Sequence, residues 1–358
     1  MAAGDHDYVF GWVYDSDDDV PIAAGDNIYR DGPILGDFFA GTMRLNYRYQ
    51  QYWLANNANP AGITFKGYEI SAVSYTHFCI DAVGFYCALG KVTADTPASD
   101  QFKIQGSVDG DVPSRIFHVE DNHLDANQAE EFEDVKVVEA DIVIHKGALA
   151  LTQRCNAENF SDMTNDSVVR QTGYDPEQYR GTNAPTSIPE CLYRIANSSM
   201  TLTWDSKSLG KYIKVEDQTI CGWMNPLELV HLDDGNPYPS IWLREKREFK
   251  PITFTFIVPP GDIGDLDNMR AYAEEDTMSS KTQSDLVWKI PRRHSNDYIQ
   301  ITFKSVYLIG WNMTPAPDSV DSIEITGTWS PPLDIEVIDR QVTSAGVADP
   351  NEDADYEV

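Results

Sequence analysis

The chain has 358 residues, with 57 Asp and Glu against 27 Lys and Arg, a formal charge of −30, and 42% hydrophobic residues. A core is not limited by size, since a single domain this long can bury about three quarters of its unfolded surface. The charge argues against a protein that coats nucleic acid by neutralising phosphates over its whole surface.

Five cysteines (Cys79, Cys87, Cys155, Cys191, Cys221) are odd in number and lack Cys-x-x-Cys spacing, so buried thiols are expected rather than a disulfide framework or zinc knuckle. Residues 1–7 are small and acidic without the apolar stretch of a secretory signal, and no run approaches the ~18 apolar residues of a membrane helix. The reading is a soluble protein made inside a cell, with no membrane insertion. On that reading the Asn-x-Ser/Thr sites at Asn159, Asn165, Asn197 and Asn312 are chance.

In chain order, the aromatic run Tyr8–Tyr14 predicts a strand, closed by acidic residues 15–19 and Pro21. Residues 34–45 read as extended. The 46–81 stretch changes period once: Tyr49, Tyr52 and Trp53 at helical spacing predict a short helix, stopped by Asn56, Asn57 and Asn59-Pro60. From Ile63 to Ile80 the β-branched and aromatic residues predict one long strand. Residues 82–92 and 102–108 read as two more strands. Residues 135–145 give another, whose apolar phase slips between Val137 and Ile142 and so predicts a bulge. Residues 148–199 are irregular and rich in Asn, Asp, Thr, Pro and Gly, which predicts large surface loops. Alternation then returns at Met200, Leu202 and Trp204, and at Ile252, Phe254, Phe256 and Val258. The clearest strand is 299–311, with Ile299, Ile301, Phe303, Tyr307, Ile309 and Trp311 on one face. Ile323, Ile325, Gly327 and Trp329 close the sheet. Many strands, no repeat and no βαβ alternation predict an all-β fold, a sandwich or jelly roll.

Catalytic signatures for nucleotide binding, serine hydrolysis or a zinc helix do not occur in the sequence. His118 and His123, five apart around Glu120 and Asp121, suit a solvated loop better than a metal. The acidic clusters are the candidate metal ligands. Asp15, Asp17 and Asp19 stand at the first, third and fifth positions of a calcium-loop-like run, and Asp262, Asp265 and Asp267 form a second loop. Val20 replaces the turn glycine and Asp26 stands where a bidentate Glu belongs, so neither is a complete EF-hand. A chain this acidic that packs against its own copies meets like-charge repulsion, and a structural Ca²⁺ or Mg²⁺ between carboxylates would relieve it. Basic side chains look too scattered for a nucleic-acid groove. The densest group, Lys289 with Arg292, Arg293 and His294, reads as a strand end.

The block Trp53, Leu54, Asn56, Asn57, Gly62, Phe65, Lys66, Tyr68, Ile70 and Val73 resembles the helix-then-strand unit of parvovirus capsid proteins, the densovirus group in particular. Trp53 and Leu54 are adjacent where that family spaces them. The run from Leu286 to Lys289, Ile290 and Pro291 is similar to the strand end that precedes the family's last long strand.

The resemblance implies an eight-stranded viral jelly roll with long loops (notably 148–199) and one short helix, over residues 1–338, followed by an acidic tail at 339–358. It implies a structural capsid protein without catalytic residues or catalytic cofactor. About 60 copies would form a small icosahedral shell around packaged single-stranded DNA, assembled in the host nucleus, and the virion would attach to a host-cell receptor through its loops. His6-Asp7-Tyr8 lacks the spacing of the family's phospholipase segment. The alternative from another class is a carbohydrate-binding or glycoside-hydrolase β-sandwich from a salt-adapted organism, which 8 Trp, 18 Tyr and many carboxylates would suit. A capsid protein of another jelly-roll virus family is a third reading.

Overall fold

The computed structural model describes residues 8–14, 38–42, 46–52, 60–69, 71–79, 82–96, 101–106, 112, 114–121, 128–164, 192–196, 199–225, 227–230, 241–244, 247–258, 264–275, 281–292, 298–315, 321–329 and 335–340. The first part of the chain gives β1 (Tyr8–Tyr14), β2 (Phe38–Thr42), β3 (Asn46–Tyr52), β4 (Gly62–Glu69), β5 (Ser71–Phe78), α1 (Val83–Leu89), β6 (Gly90–Thr96) and β7 (Gln101–Gly106). The middle gives β8 (Arg115–Asp121), β9 (Gln128–His145), β10 (Ala148–Asn156), β11 (Asn159–Thr164), β12 (Thr201–Trp204), β13 (Lys207–Ser208), β14 (Gln218–Met224), β15 (Leu227–Val230), β16 (Ile241–Arg244) and β17 (Glu248–Phe249). The last part gives β18 (Ile252–Ile257), α2 (Gly264–Ala273), β19 (Gln283–Pro291), β20 (Tyr298–Thr314), β21 (Ser322–Trp329) and β22 (Ile335–Arg340).

These strands make two antiparallel nine-stranded sheets. The first runs β1-β8-β9-β10-β5-β2, with β11 and β14 also on β9 and β17 on β14. The second runs β13-β12-β19-β20-β22-β7-β6, with β21 on β20 and β18 on β21. Two further hairpins, β3-β4 and β15-β16, stand apart from them. One core joins the sheets, with Ile142, Ile144, Leu149 and Leu151 from the first and Trp288, Ile299, Ile301 and Phe303 from the second. The fold is therefore mostly β, as the alternation predicts, but with more than eight strands.

The predicted bulge is present. Cys155 pairs Val137 while Arg154 pairs Glu139, which leaves Val138 as the extra residue on β9. Burial changes phase there, from Val135 and Val137 to Ala140, Ile142 and Ile144, and Val138 turns to a separate small cluster with Val112 and Leu227.

Several expectations are corrected. The helix placed at Tyr49 and Tyr52 is strand β3, paired to β4 from Asn46 with Glu69 to Tyr52 with Gly62. Tyrosines at 47 and 49 suit a pleated surface with a partner strand, and the helical spacing depended on Trp53, which lies outside the described residues. The single strand 63–80 is two, with β4 on β3 and β5 between β10 and β2. The strand predicted over 82–92 begins as helix α1. Its residues Gly84 to Leu89 are all buried, so no polar face exists to mark a helical period. Gly90 ends it at φ 95°, its N–H bonded to the Tyr86 carbonyl, a left-handed cap that glycine adopts without strain.

The irregular region expected from residue 148 opens with strands β10 and β11, while 165–191 lies outside the described residues. Asp339 and Arg340, assigned to the tail, end strand β22, which inserts between β20 and β7. The residues of the second acidic loop from Gly264 onward are helix α2. The two described helices thus lie where none was predicted.

Candidate functional site: two polar sheet faces

Alternation turns one side chain of each pair inward to the shared core and the next outward. Each sheet therefore presents a polar outer face, and several charged groups of the described residues meet on these faces.

On the first face, β9 carries Glu139 and Asp141, and β10 carries Arg154. Lys250 Nζ donates to Glu139 at 2.9 Å and to Asp141 at 2.8 Å, and Arg154 lies 3.2 Å from Glu139. The Lys250 hydrogen bond holds the Glu139 carboxyl below its usual range, against partial burial. Desolvation acts to lower the Lys250 ammonium, but the hydrogen bonds it donates to Asp141 and Glu139, with their charges, outweigh it and raise its pKa. Gly222 makes room for this contact, because a Cβ there would overlap the Asp141 carboxylate. At the β9–β10 turn, Lys146 and Gly147 both take positive φ, as a two-residue hairpin turn demands. Asp217 accepts the Lys146 N–H at 2.8 Å and lies 3.0 Å from His145 Nδ1; that backbone N–H is the main cause of its lowered pKa.

Behind this face a buried polar knot ties α1 to the bulge. Trp223 Nε1 donates to the Ala88 carbonyl at 3.0 Å, and Asn225 Nδ2 donates to Ala88 and Val137 carbonyls at 2.8 Å each. Arg247 Nε donates to Asn225 Oδ1 at 2.8 Å, and its Nη2 to the Leu89 carbonyl at 3.2 Å. Together they satisfy carbonyls that the end of a helix leaves without intrahelical partners.

On the second face, Glu336 of β22 sits between strands β7 and β20. It meets Lys103 at 2.7 Å, Gln105 at 3.0 Å and Lys304 at 3.7 Å. Lys304 also lies 3.5 Å from Asp285. Lys289 Nζ stands 3.8 Å above the Tyr298 ring, and exposed Lys91 pairs in register with Gln105 at the sheet edge. Four described lysines thus share this face with the carboxylates of Glu336, Asp285 and, farther along on β21, exposed Glu324. The sequence reading missed this convergence. Its signal was local: Lys103 follows Phe102 and precedes Ile104, Lys289 lies between Trp288 and Ile290, and Lys304 follows Phe303, so period two alone turns each outward. The strand order that makes them neighbours is not written in any one segment.

Asp15, Asp17, Asp19 and Asp262 lie outside the described residues. Asp265 and Asp267 occupy the first turn of α2, where carboxylates favour the helix dipole, and Asp265 accepts the Ser208 N–H at 3.1 Å. Among the described residues no group of three or more His, Cys, Asp or Glu could hold a metal ion. His118 is in strand β8 rather than a loop, and His123 is outside the described residues. Arg292 follows strand β19, as the strand-end reading has it, and is buried with its Nη2 3.1 Å from the Tyr193 hydroxyl; Arg293 and His294 are not among the described residues. Cys79, Cys87, Cys155 and Cys221 are buried and outside any disulfide, with burial pushing the Cys155 and Cys221 thiols up, and Cys191 lies outside the described residues. An apolar cavity of about 20 Å³ in the core, bounded by Trp204, Phe254, Leu286 and Leu308 among others, has room for one water but few polar groups to hold it.

No family model and no curated protein matches the chain.

Proposed function

We propose that the chain is a structural subunit that assembles with copies of itself into a closed shell, with a jelly-roll-like sandwich as its building block and a densovirus-like capsid as the model. The observation that carries the reading is the path of the chain between sheets. β5 lies in the first, β6 and β7 in the second, β8 to β11 in the first, β12 and β13 in the second, β14 and β17 in the first, and β18 to β22 in the second. Repeated crossing of this kind, with the last strand inserted beside an early one, is how jelly rolls bring distant segments together. A single-stranded DNA cargo and a receptor-binding exterior belong to the same proposal.

Among the described residues Trp204, Trp223 and Trp288 are each at most 1% exposed and serve the core, so these three offer a carbohydrate no stacking platform. For a subunit of charge −30, assembly would depend on counter-ions, and a divalent cation at Asp15, Asp17 and Asp19 or at Asp262, Asp265 and Asp267 would act between copies.

Size-exclusion chromatography with light scattering, followed by negative-stain microscopy, tests the proposal. Uniform closed particles are expected, and a monodisperse monomer at every salt concentration overturns it. Digestion of protected nucleic acid with DNase or RNase identifies the cargo. EDTA should lower the melting temperature of the particles if cations bridge them, and an unchanged temperature removes that part.

A further inference from the structure

We infer that the outer face of the second sheet, across β19, β20, β22, β7 and β6, binds the sugar-phosphate backbone and bases of single-stranded nucleic acid. The inference rests on the shell proposal for the source of the strand, and it names the face that would turn inward. Among the described residues of these five strands, in a chain with a formal charge of −30, Lys91, Lys103, Lys289 and Lys304 share this face with Glu336 and Asp285. Charge complementarity therefore favours an anionic partner here, and screening within about 8 Å shields the site from distant carboxylates.

The character of the face selects the anion. Half-buried Tyr298 sits on it with Lys289 3.8 Å above its ring, and Gln300 and Gln105 put amide groups in the same rows. An acidic peptide would use the lysines alone. A single strand would use lysines for phosphates, an aromatic ring for base stacking and amides for base edges, as single-strand-binding sheets do. Glu336 has a positioning role: it pairs with Lys103 and lies near Lys304 and Gln105, so with Asp285 it balances Lys103 and Lys304 across three strands and leaves the excess positive charge to Lys91 and Lys289.

The test uses the full chain and the charge-reversing variants Lys91→Glu and Lys289→Glu, singly and together, with Lys146→Glu at the β9–β10 turn as a control matched in charge to each single variant. Fluorescence anisotropy reads binding of a labelled oligothymidylate of about 16 nucleotides to the subunit fraction, starting at about 0.15 M ionic strength where charges are screened within about 8 Å. The expected result is a loss of about tenfold or more in the double variant and a shallower salt dependence, with the control near wild type. Absorbance of assembled particles should show less co-purified nucleic acid in the double variant.

Equal binding by the double variant and the control overturns the inference. So does binding of a polyglutamate peptide in place of the oligonucleotide, with the same variants losing it. If particles form while the variants bind and package normally, this inference fails and the shell proposal stands. If no particles form but oligonucleotide binding depends on Lys91 and Lys289, the reverse holds. Urea unfolding of each variant confirms that its fold is intact, and Lys289→Gln, which keeps a long side chain, replaces any variant that does not fold.

Discussion

The two sheets share one core but differ in charge. The strands of the first carry ten carboxylates against three cations, and those of the second carry six cations against five carboxylates. On the first face the cations are consumed locally, since Lys250 reaches in to bridge Glu139 and Asp141. On the second face a single glutamate is shared by two lysines. Inward residues are mostly apolar in both sheets, although the first also buries Tyr75, His77 and Gln153. The outward residues are not, and it is there that the two sheets differ in what they can meet.

The largest expected effects test the shared part of this comparison. Each sheet buries a tryptophan completely, Trp223 in the first and Trp288 in the second. Replacing either with alanine should cost about 3–5 kcal/mol by urea denaturation. The phenylalanine variants should separate the two. Trp223→Phe also gives up the bond to the Ala88 carbonyl, whereas the Trp288 indole N–H meets no acceptor among the described residues, so Trp223→Phe should cost about 1 kcal/mol more. Equal losses would mean that the bond to α1 contributes nothing.

The next effect concerns how each sheet holds its helix. Asn225 is 4% exposed and bonds two carbonyls and Arg247, so Asn225→Ala should cost about 2–3 kcal/mol, because it leaves buried groups without partners. Lys281 caps α2 from a half-buried position, its Nζ 3.3 Å from the Ala273 carbonyl and 3.0 Å from that of Leu308. Lys281→Met should cost about 1 kcal/mol, since water can replace part of what the ammonium does. A reversal of that order in urea midpoints would break the argument that burial sets the difference.

The first face should also show a pH signature. Glu139 binds its proton less readily in the folded chain than in the unfolded one. Its contribution is therefore whole above the ordinary glutamate value of 4.5 and is lost as pH falls through the lowered folded value. Lys250 supplies the main cause, so Lys250→Ala should be less stable than wild type at neutral pH and converge toward it in acid. Parallel stability curves for the two proteins down to about pH 3 would show that the bridge carries no linkage.

Legibility in the sequence divided along physical lines. Strands with one solvated face, such as Ile252–Ile257 with its buried residues at every second position, declared themselves by period two. Helix α1 did not, because a segment buried all round carries no periodic signal. Helix α2 was hidden by its acidic first turn, which resembles a metal loop as much as a helix start. Strand β22 was lost between Pro331-Pro332 and the acidic tail, although its neighbours β20 and β7 make it central. Of the two polar faces, the outward direction of each lysine was legible and their convergence was not, since it depends on pairings between residues as far apart as Gln105 and Glu336.

The smallest predicted effect is the most discriminating about where alternation fails. Simple alternation along 299–311 places Ile309 in the core with Ile301, but the structure breaks the phase twice. Leu286 pairs Phe303 while Ser284 pairs Val306, so Lys304 and Ser305 bulge, with Ser305 at φ 55°. Leu308 then pairs Gly327 while Gly310 pairs Thr326, which leaves Ile309 as a second extra residue. Val306 and Leu308 take the inward positions, and Ile309 is 47% exposed. Ile309→Thr should therefore change stability by no more than about 0.5 kcal/mol, as surface substitutions do. Ile301→Thr, which buries a hydroxyl in place of a packed ethyl group, should cost several times more. A large loss at Ile309 would mean that the first phase continues unbroken, and with it would go the outward placement of Tyr307, which pairs in register with Gln283 and Thr328.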